Sequence, residues 1–186
     1  HGVRILATDT AGNAGAPLEV RFEVDLTAPR TEVLSGPPRA TAADHAAFTF
    51  GPPGLGFRCS LDLGPWLDCD EDQVLFALGE GSHDLWVRAT DAAGNTDATP
   101  ASYDWVVDRT PPVTALLGAP PARTREAGAD FAFLAEPGSR AECALDGGAW
   151  AECASPIRVD GLSEGEHRLL IRSVDAAENK EVEPIE

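Results

Sequence analysis

The sequence predicts an all-β chain built from small sandwich domains in tandem, and three observations carry that prediction. The 186 residues include 18 Gly and 15 Pro, scattered so that long helices have no room. Between these breaks, apolar residues recur two apart in short runs, which is the period of a half-buried strand. Whole blocks of sequence then return after about 83 residues, as expected of a repeat architecture.

The repeat is read from landmarks. Cys59, Trp66, Cys69 and His83 return as Cys143, Trp150, Cys153 and His167, each 84 positions on. Asp91 and Asp175 keep that offset, and Asp9 precedes Asp91 by 82. The segment "VDLTAP" at Val24 to Pro29 returns as "VDRTPP" at Val107 to Pro112. This register divides the chain into residues 1–28, the C-terminal part of one repeat, 29–111, a complete repeat, and 112–186, a repeat lacking its last strand. The sequence thus reads as a segment that begins and ends within repeats. The joints carry Pro29 and the pair Pro111 and Pro112, which restrict the backbone and remove ladder donors, so they are expected to act as stiff hinges.

Within the complete repeat, strands are expected near 31–35, 46–51, 56–62, 66–70, 73–78, 84–90 and 102–108. The sixth exists in three copies. Val3, Leu85 and Leu169 share one position, Ile5, Val87 and Ile171 the next but one, then Ala7, Ala89 and Ser173. These positions are predicted to face a core, and the alternate ones, with Trp86, Arg88, Leu170 and Arg172, to face solvent. The seventh strand repeats the pattern in Tyr103, Trp105 and Val107, matched by Val20, Phe22 and Val24. Seven short alternating strands per unit predict an immunoglobulin-like β-sandwich.

The net charge of −17 disfavours nucleic acid as a partner, since phosphates would be repelled, and makes cations the more natural company. No apolar run is long enough to span a membrane in this segment. A three-residue loop centred on Gly64 or Gly148 would set Cys59 opposite Cys69 and Cys143 opposite Cys153, so the spacing is read as one disulfide per repeat and an oxidising compartment. Closing so short a loop adds roughly 2–3 kcal/mol in the chain-entropy treatment. Zinc, with His83 or His167 as a further ligand, is the weaker reading because each repeat offers only two thiols.

The three asparagines of the chain all lie in one motif, "ATDTAGN" at Ala7 to Asn13, "ATDAAGN" at Ala89 to Asn95 and "SVDAAEN" at Ser173 to Asn179. Asp followed by Gly-Asn makes a compact turn unaided, the Asp side chain bonding backbone donors ahead of it. Glu178 in place of Gly suggests that positive φ is preferred there and not required. The alternative is calcium, with Asp91, Asn95 and Asp108, or Asp9, Asn13 and Asp25, as oxygen ligands, although no EF-hand spacing is present. His83 and His167 follow Gly81 and Gly165 at a turn into the sixth strand, where a structural role is expected. No nucleophile recurs beside them, so no catalysis is expected in this segment.

The stretches "GLSEGEHRLLIRSVDAAEN", "FRCSLDLGPWLDC" and "YDWVVDRTPP" resemble the bacterial-type immunoglobulin-like tandem repeats of large extracellular and surface proteins, over the whole chain. Glu178 and the acidic run Asp68 to Asp72 depart from that pattern. The resemblance implies a structural segment of an extracellular fibre, stalk or adhesin that spaces and stiffens a larger assembly. Its partners would be neighbouring repeats of the same polypeptide or copies of itself. The alternative is a binding module that grips a carbohydrate or surface protein through Trp86, Arg88, Leu170 and Arg172. No cofactor is expected apart from the calcium just weighed.

Overall fold

The computed structural model describes all residues from His1 to Glu186, and every regular element in it is a strand. No helix is long and apolar enough to cross a membrane. By Cα packing the residues form two compact units, one of His1–Ser35, Phe48–Gln73 and Leu85–Tyr103, the other of Gly36–Ala47, Val74–Asp84 and Asp104–Glu186. A ring cluster of Phe48, Phe50, Phe57 and Tyr103 lies in the first, and a core of Phe133, Ala141, Cys143, Leu169 and Ile171 lies in the second.

The chain opens with β1 (Gly2–Ile5) and β2 (Leu18–Arg21), an antiparallel pair in which Val3 faces Val20 and Ile5 faces Leu18. No second sheet covers this pair. Val3, Ile5 and Leu18 therefore stay 48%, 53% and 60% exposed, although the apolar alternation marked the sixth-strand positions for a core.

Eight strands follow: β3 (Glu32–Ser35), β4 (Ala40–Thr41), β5 (Ala46–Gly51), β6 (Gly56–Leu61), β7 (Leu67–Cys69), β8 (Asp72–Leu75), β9 (Gly81–Thr90) and β10 (Ala101–Val107). They form one sheet in the order β3-β5-β8 and another in the order β4-β10-β9-β6-β7. Leu85, Val87 and Ala89 of β9 are fully buried, so the inner face read from the three aligned copies is the inner face here. The seven expected strands all form, with β9 starting three residues earlier than expected. The additional strand, β4, pairs parallel to the end of β10 through Val106 with Ala40 and Val107 with Thr41. A two-residue strand is too short to show a period.

The last six strands are β11 (Thr114–Gly118), β12 (Gly128–Ala135), β13 (Arg140–Leu145), β14 (Ala151–Cys153), β15 (Ile157–Asp160) and β16 (Leu169–Val174). The sheets are β11-β12-β15 and β14-β13-β16. Beyond β16 isolated bridges join Ile171 to Ile185 and Val174 to Lys180, where the preceding sandwich has the strand β10 beside β9.

The two cysteine hairpins differ from expectation in register. Cys59 faces Leu67 and Cys69 faces Phe57, so the bridged cysteines are diagonal neighbours and not directly opposite, and Cys143 and Cys153 are related in the same way. The cause is the turn. Asp62 and Leu63, like Asp146 and Gly147, have positive φ, and Gly64 N–H bonds the Leu61 carbonyl, which makes a tight two-residue reversal one position earlier than the expected loop centre. Diagonal Cβ atoms on one face still come within bridging reach, with Cα atoms 5.9 Å and 5.8 Å apart. Leu63 holds a left-handed conformation while 83% exposed, with no burial to offset its strain. Leu63→Gly is expected to stabilise the protein by about 1 kcal/mol, read as a raised urea midpoint.

Candidate functional site

The Asp-Asn turn is built almost identically three times. Asp91 Oδ1 accepts the N–H groups of Ala93 at 2.9 Å and Asn95 at 2.8 Å, and Oδ2 accepts the Asn95 Nδ2 amide at 2.9 Å. Asp9 does the same for Ala11 and Asn13, and Asp175 for Ala177 and Asn179. These donors, with the Asn side chain foremost, hold the Asp9 and Asp91 carboxyls below the usual carboxylate range.

All three turns need positive φ one residue before the Asn: 86° at Gly12, 92° at Gly94 and 66° at Glu178. The requirement is thus stricter than the Glu suggested. Glu178 is held in place by a forked pair to Arg140, with N–O distances of 2.8 Å and 2.7 Å.

What the turn does beyond folding itself is visible in the second and third copies. Asn95 Nδ2 also donates to the Asp25 carbonyl at 3.1 Å, and Asn179 Nδ2 donates to the Asp108 carbonyl at 2.8 Å. Asp25 and Asp108 are the aspartates of the two "VD-x-T-x-P" joints. Each is shaped by its own side chain, whose Oδ1 accepts the N–H of Thr27 or Thr110. The asparagine of one repeat therefore holds the joint that leads into that repeat, about 70 residues earlier in the chain.

A second contact fixes the far side of the same joint. Asp97 is 6% exposed and its Oδ2 accepts both the N–H and the hydroxyl of Thr31 at 2.7 Å. Its Oδ1 accepts the N–H and hydroxyl of Thr99 at 2.8 Å. The Thr31 hydroxyl in turn receives the Ala89 N–H at 2.9 Å, tying the entering strand to β9. Glu181 performs this task for Thr114, bonding its N–H at 2.8 Å and its hydroxyl at 2.6 Å. Sequence reasoning did not single out these residues. The available signal was the recurrence of Thr two residues after Pro29 and Pro112 and of a carboxylate two residues after Asn95 and Asn179.

The residues weighed for calcium come together only in part. Asn95 meets the Asp25 main chain and not Asp108, which belongs with Asn179. Asp91 already takes three N–H donors, and no group of three or more His, Cys, Asp or Glu side chains is placed to hold a metal ion. A cation at Asp91 or Asp9 must compete with those donors. Addition of a chelator is therefore expected to leave the melting temperature within about 1 °C of its starting value, checked by calorimetry, and a drop of many degrees would show a bound cation that stabilises the fold.

The residues proposed as a binding face are divided between uses. Arg88 lies over the Trp66 ring at 4.5 Å, and Arg172 over the Trp150 ring at 3.9 Å, the same pair in two repeats. Arg172 also bonds Glu142 at 2.6 Å with both side chains largely buried. Trp86 is 37% exposed and Leu170 is half-buried.

His167 sits between two acceptors. Its Nδ1 is 2.7 Å from Asp146 Oδ2 and its Nε2 is 3.0 Å from the Ser163 carbonyl, so both ring nitrogens favour carrying a proton. The Asp146 bond raises the His167 pKa above its ordinary value, while the Arg168 N–H and the imidazole lower that of Asp146. The Ser163 hydroxyl is 3.5 Å from Nε2, at the outer limit of hydrogen bonding, and the contacts of His167 with Asp146 and the Ser163 carbonyl clamp a turn. Because the folded pKa is raised, the stabilisation is full below about pH 6.5 and is lost as pH rises through the folded value. An NMR titration is expected to place His167 above 6.5 in the native protein and to bring it down in Asp146→Asn.

No protein-family model matches the chain, and no curated relative matches it. Among solved structures, the fibronectin(III)-like modules of CbhA from Clostridium thermocellum are similar, with a TM-score of 0.51 and 13% identity, over 84% of this chain and 90% of that one. The shared fold is an all-β sandwich. A 1.5-MDa bacterial ice-binding adhesin, described for host cell surface retention, aligns at TM-score 0.38 and 16% identity over 96% of this chain and 70% of that one.

Proposed function

We propose that this chain is a structural repeat segment of an extracellular fibre, stalk or adhesin, in which the Asp-Asn turns stiffen the joints between sandwiches. The observation that carries this reading is the pair of hydrogen bonds from Asn95 and Asn179 to the joint carbonyls of Asp25 and Asp108. A connection meant to flex leaves its backbone groups to water, whereas this one has a carbonyl and a following threonine tied to side chains. The disulfides, stable only where thiols are not kept reduced, support an extracellular or cell-surface location. The binding-face alternative is less well supported, because Arg88 and Arg172 are stacked on tryptophans of their own repeats.

The reading is tested by backbone order at the joints. Amide order parameters of Leu26, Thr27, Arg109 and Thr110 are expected near the rigid value of about 0.85, as in the strands. Values below about 0.6 would make the joints flexible linkers and overturn it.

A further inference from the structure

The outer faces of the two cysteine-bearing sheets use equivalent strands for different chemistry. Across β13 and β16, Glu142 lies directly opposite Arg172, and its carboxylate accepts Arg172 Nε at 2.9 Å and Nη2 at 2.6 Å. Across β6 and β9 the equivalent pair is Arg58 opposite Arg88, two like charges where the sister repeat has an attraction. Arg88 Nε is shut from solvent and has no acceptor. Its guanidinium lies over the Trp66 ring at 4.5 Å, a contact that uses the flat face of the ion and leaves the donors at its edge for an acceptor.

Aromatic surface lies beside this pair. Trp86 alternates with the buried Leu85 and Val87, so it stands on the same outer face as Arg88, about 7 Å along the strand, and is 37% exposed. The sister repeat has Leu170 at that position. Directly opposite Trp86 is Ser60, a small residue whose hydroxyl donates to the Gly64 carbonyl at 2.7 Å. Arg58 donates to the Trp66 carbonyl at 2.6 Å and pairs at 3.2 Å with Asp68, whose side chain is almost fully exposed, so that ion pair holds it weakly. In a chain of net charge −17, this face sets two guanidiniums against one paired carboxylate.

We propose that this face binds an acidic polysaccharide, a uronic-acid carboxylate taking between Arg58 and Arg88 the place that Glu142 holds in the sister repeat, while a neighbouring sugar ring lies on Trp86. The carboxylate supplies the acceptor that Arg88 Nε lacks, reaching it as the Arg58 side chain turns outward, and it offsets the repulsion between the two arginines. An aromatic surface with a few polar groups that fix orientation suits a sugar, whose ring packs by its C–H groups while its hydroxyls meet polar neighbours such as Asp68. A uronic acid carries its carboxylate on the ring itself, so one sugar reaches the guanidiniums as the next lies over the indole. An Asp or Glu side chain of a protein brings no such ring. The sister face has no room for the same ligand, since Arg172 is already satisfied by Glu142 and Leu170 replaces the tryptophan.

The test is an NMR titration of the full chain with tetragalacturonate, run beside its methyl ester and a tetraglutamate peptide. The acid is expected to shift the indole N–H signals of Trp66 and Trp86 saturably. The ester, which keeps the sugar rings and loses the charge, is expected to bind at least about tenfold more weakly. Trp86→Ala is expected to weaken binding of the acid at least about fivefold. Arg58→Glu gives β6 the acceptor that β13 already has, so it is expected to fold with a melting temperature no lower than wild type and to abolish binding. No saturable binding, equal binding of acid and ester, tetraglutamate bound as tightly as the acid, or undiminished binding by either variant each overturns the proposal. None of these outcomes bears on the order of the joints, so the spacer reading is tested separately.

Discussion

Asp97→Ala is expected to lower stability by about 2–4 kcal/mol at pH 7, because it leaves the Thr31 and Thr99 N–H groups without their acceptor in a site where Asp97 is 6% exposed. The hydrogen bonds from Thr31, ahead of those from Thr99, hold the Asp97 carboxyl far below its ordinary range. A carboxyl depressed in the folded state contributes fully above its unfolded pKa near 3.9 and loses that contribution as pH falls towards the folded value. Urea unfolding of wild type and variant at pH 7 and pH 3 checks both parts. The difference is expected to be large at pH 7 and smaller at pH 3, and a difference under about 0.5 kcal/mol at pH 7 would mean that the strand entering at Thr31 does not depend on this carboxylate.

Replacing Cys59 and Cys69 together by Ala is expected to cost about 3 kcal/mol, since the bridge closes a short loop of sequence separation 10 and thereby restricts the unfolded chain. The fold should survive, because Phe48, Phe50, Leu85 and Val87 form a buried core that does not need the bridge. Far-ultraviolet circular dichroism is expected to be unchanged at 25 °C while the urea midpoint falls. Loss of the strand signal would mean that this sandwich is too small to fold on its apolar burial alone.

Local periodicity made most of the strands legible, because the inner positions Leu85, Val87 and Ala89 are mostly apolar in all three aligned copies, which confirms the phase, whereas the alternate positions Trp86 and Arg88 vary. The cysteine spacing identified the hairpins but misplaced their register, since the turn type depends on the φ of Asp62 and Leu63, and Leu at such a position carries no turn signal. The Asp-Asn turn was recognisable as a turn. Its reach to a joint carbonyl was not, because backbone acceptors have no sequence identity and the partner lies about 70 residues away. Arg88 and Arg172 were assigned to solvent by alternation alone, which cannot register a tryptophan on the adjacent hairpin able to cover a guanidinium. Thr31 and Asp97 were missed for the same reason as the joint: each is an ordinary polar residue until the fold brings them to 2.7 Å.

The central claim is that Asn95 and Asn179 couple each sandwich to the joint before it. Asn13 makes the same turn with Asp9 in residues 1–28, outside the segments 29–111 and 112–186. Residual dipolar couplings of residues 29–111 and 112–186 in the full chain report whether the two segments share one alignment. The account predicts that wild type and Asn13→Ala give one common alignment tensor and that Asn179→Ala gives two distinct ones. Two distinct tensors in wild type, or one common tensor retained in Asn179→Ala with its turn otherwise intact, would contradict it.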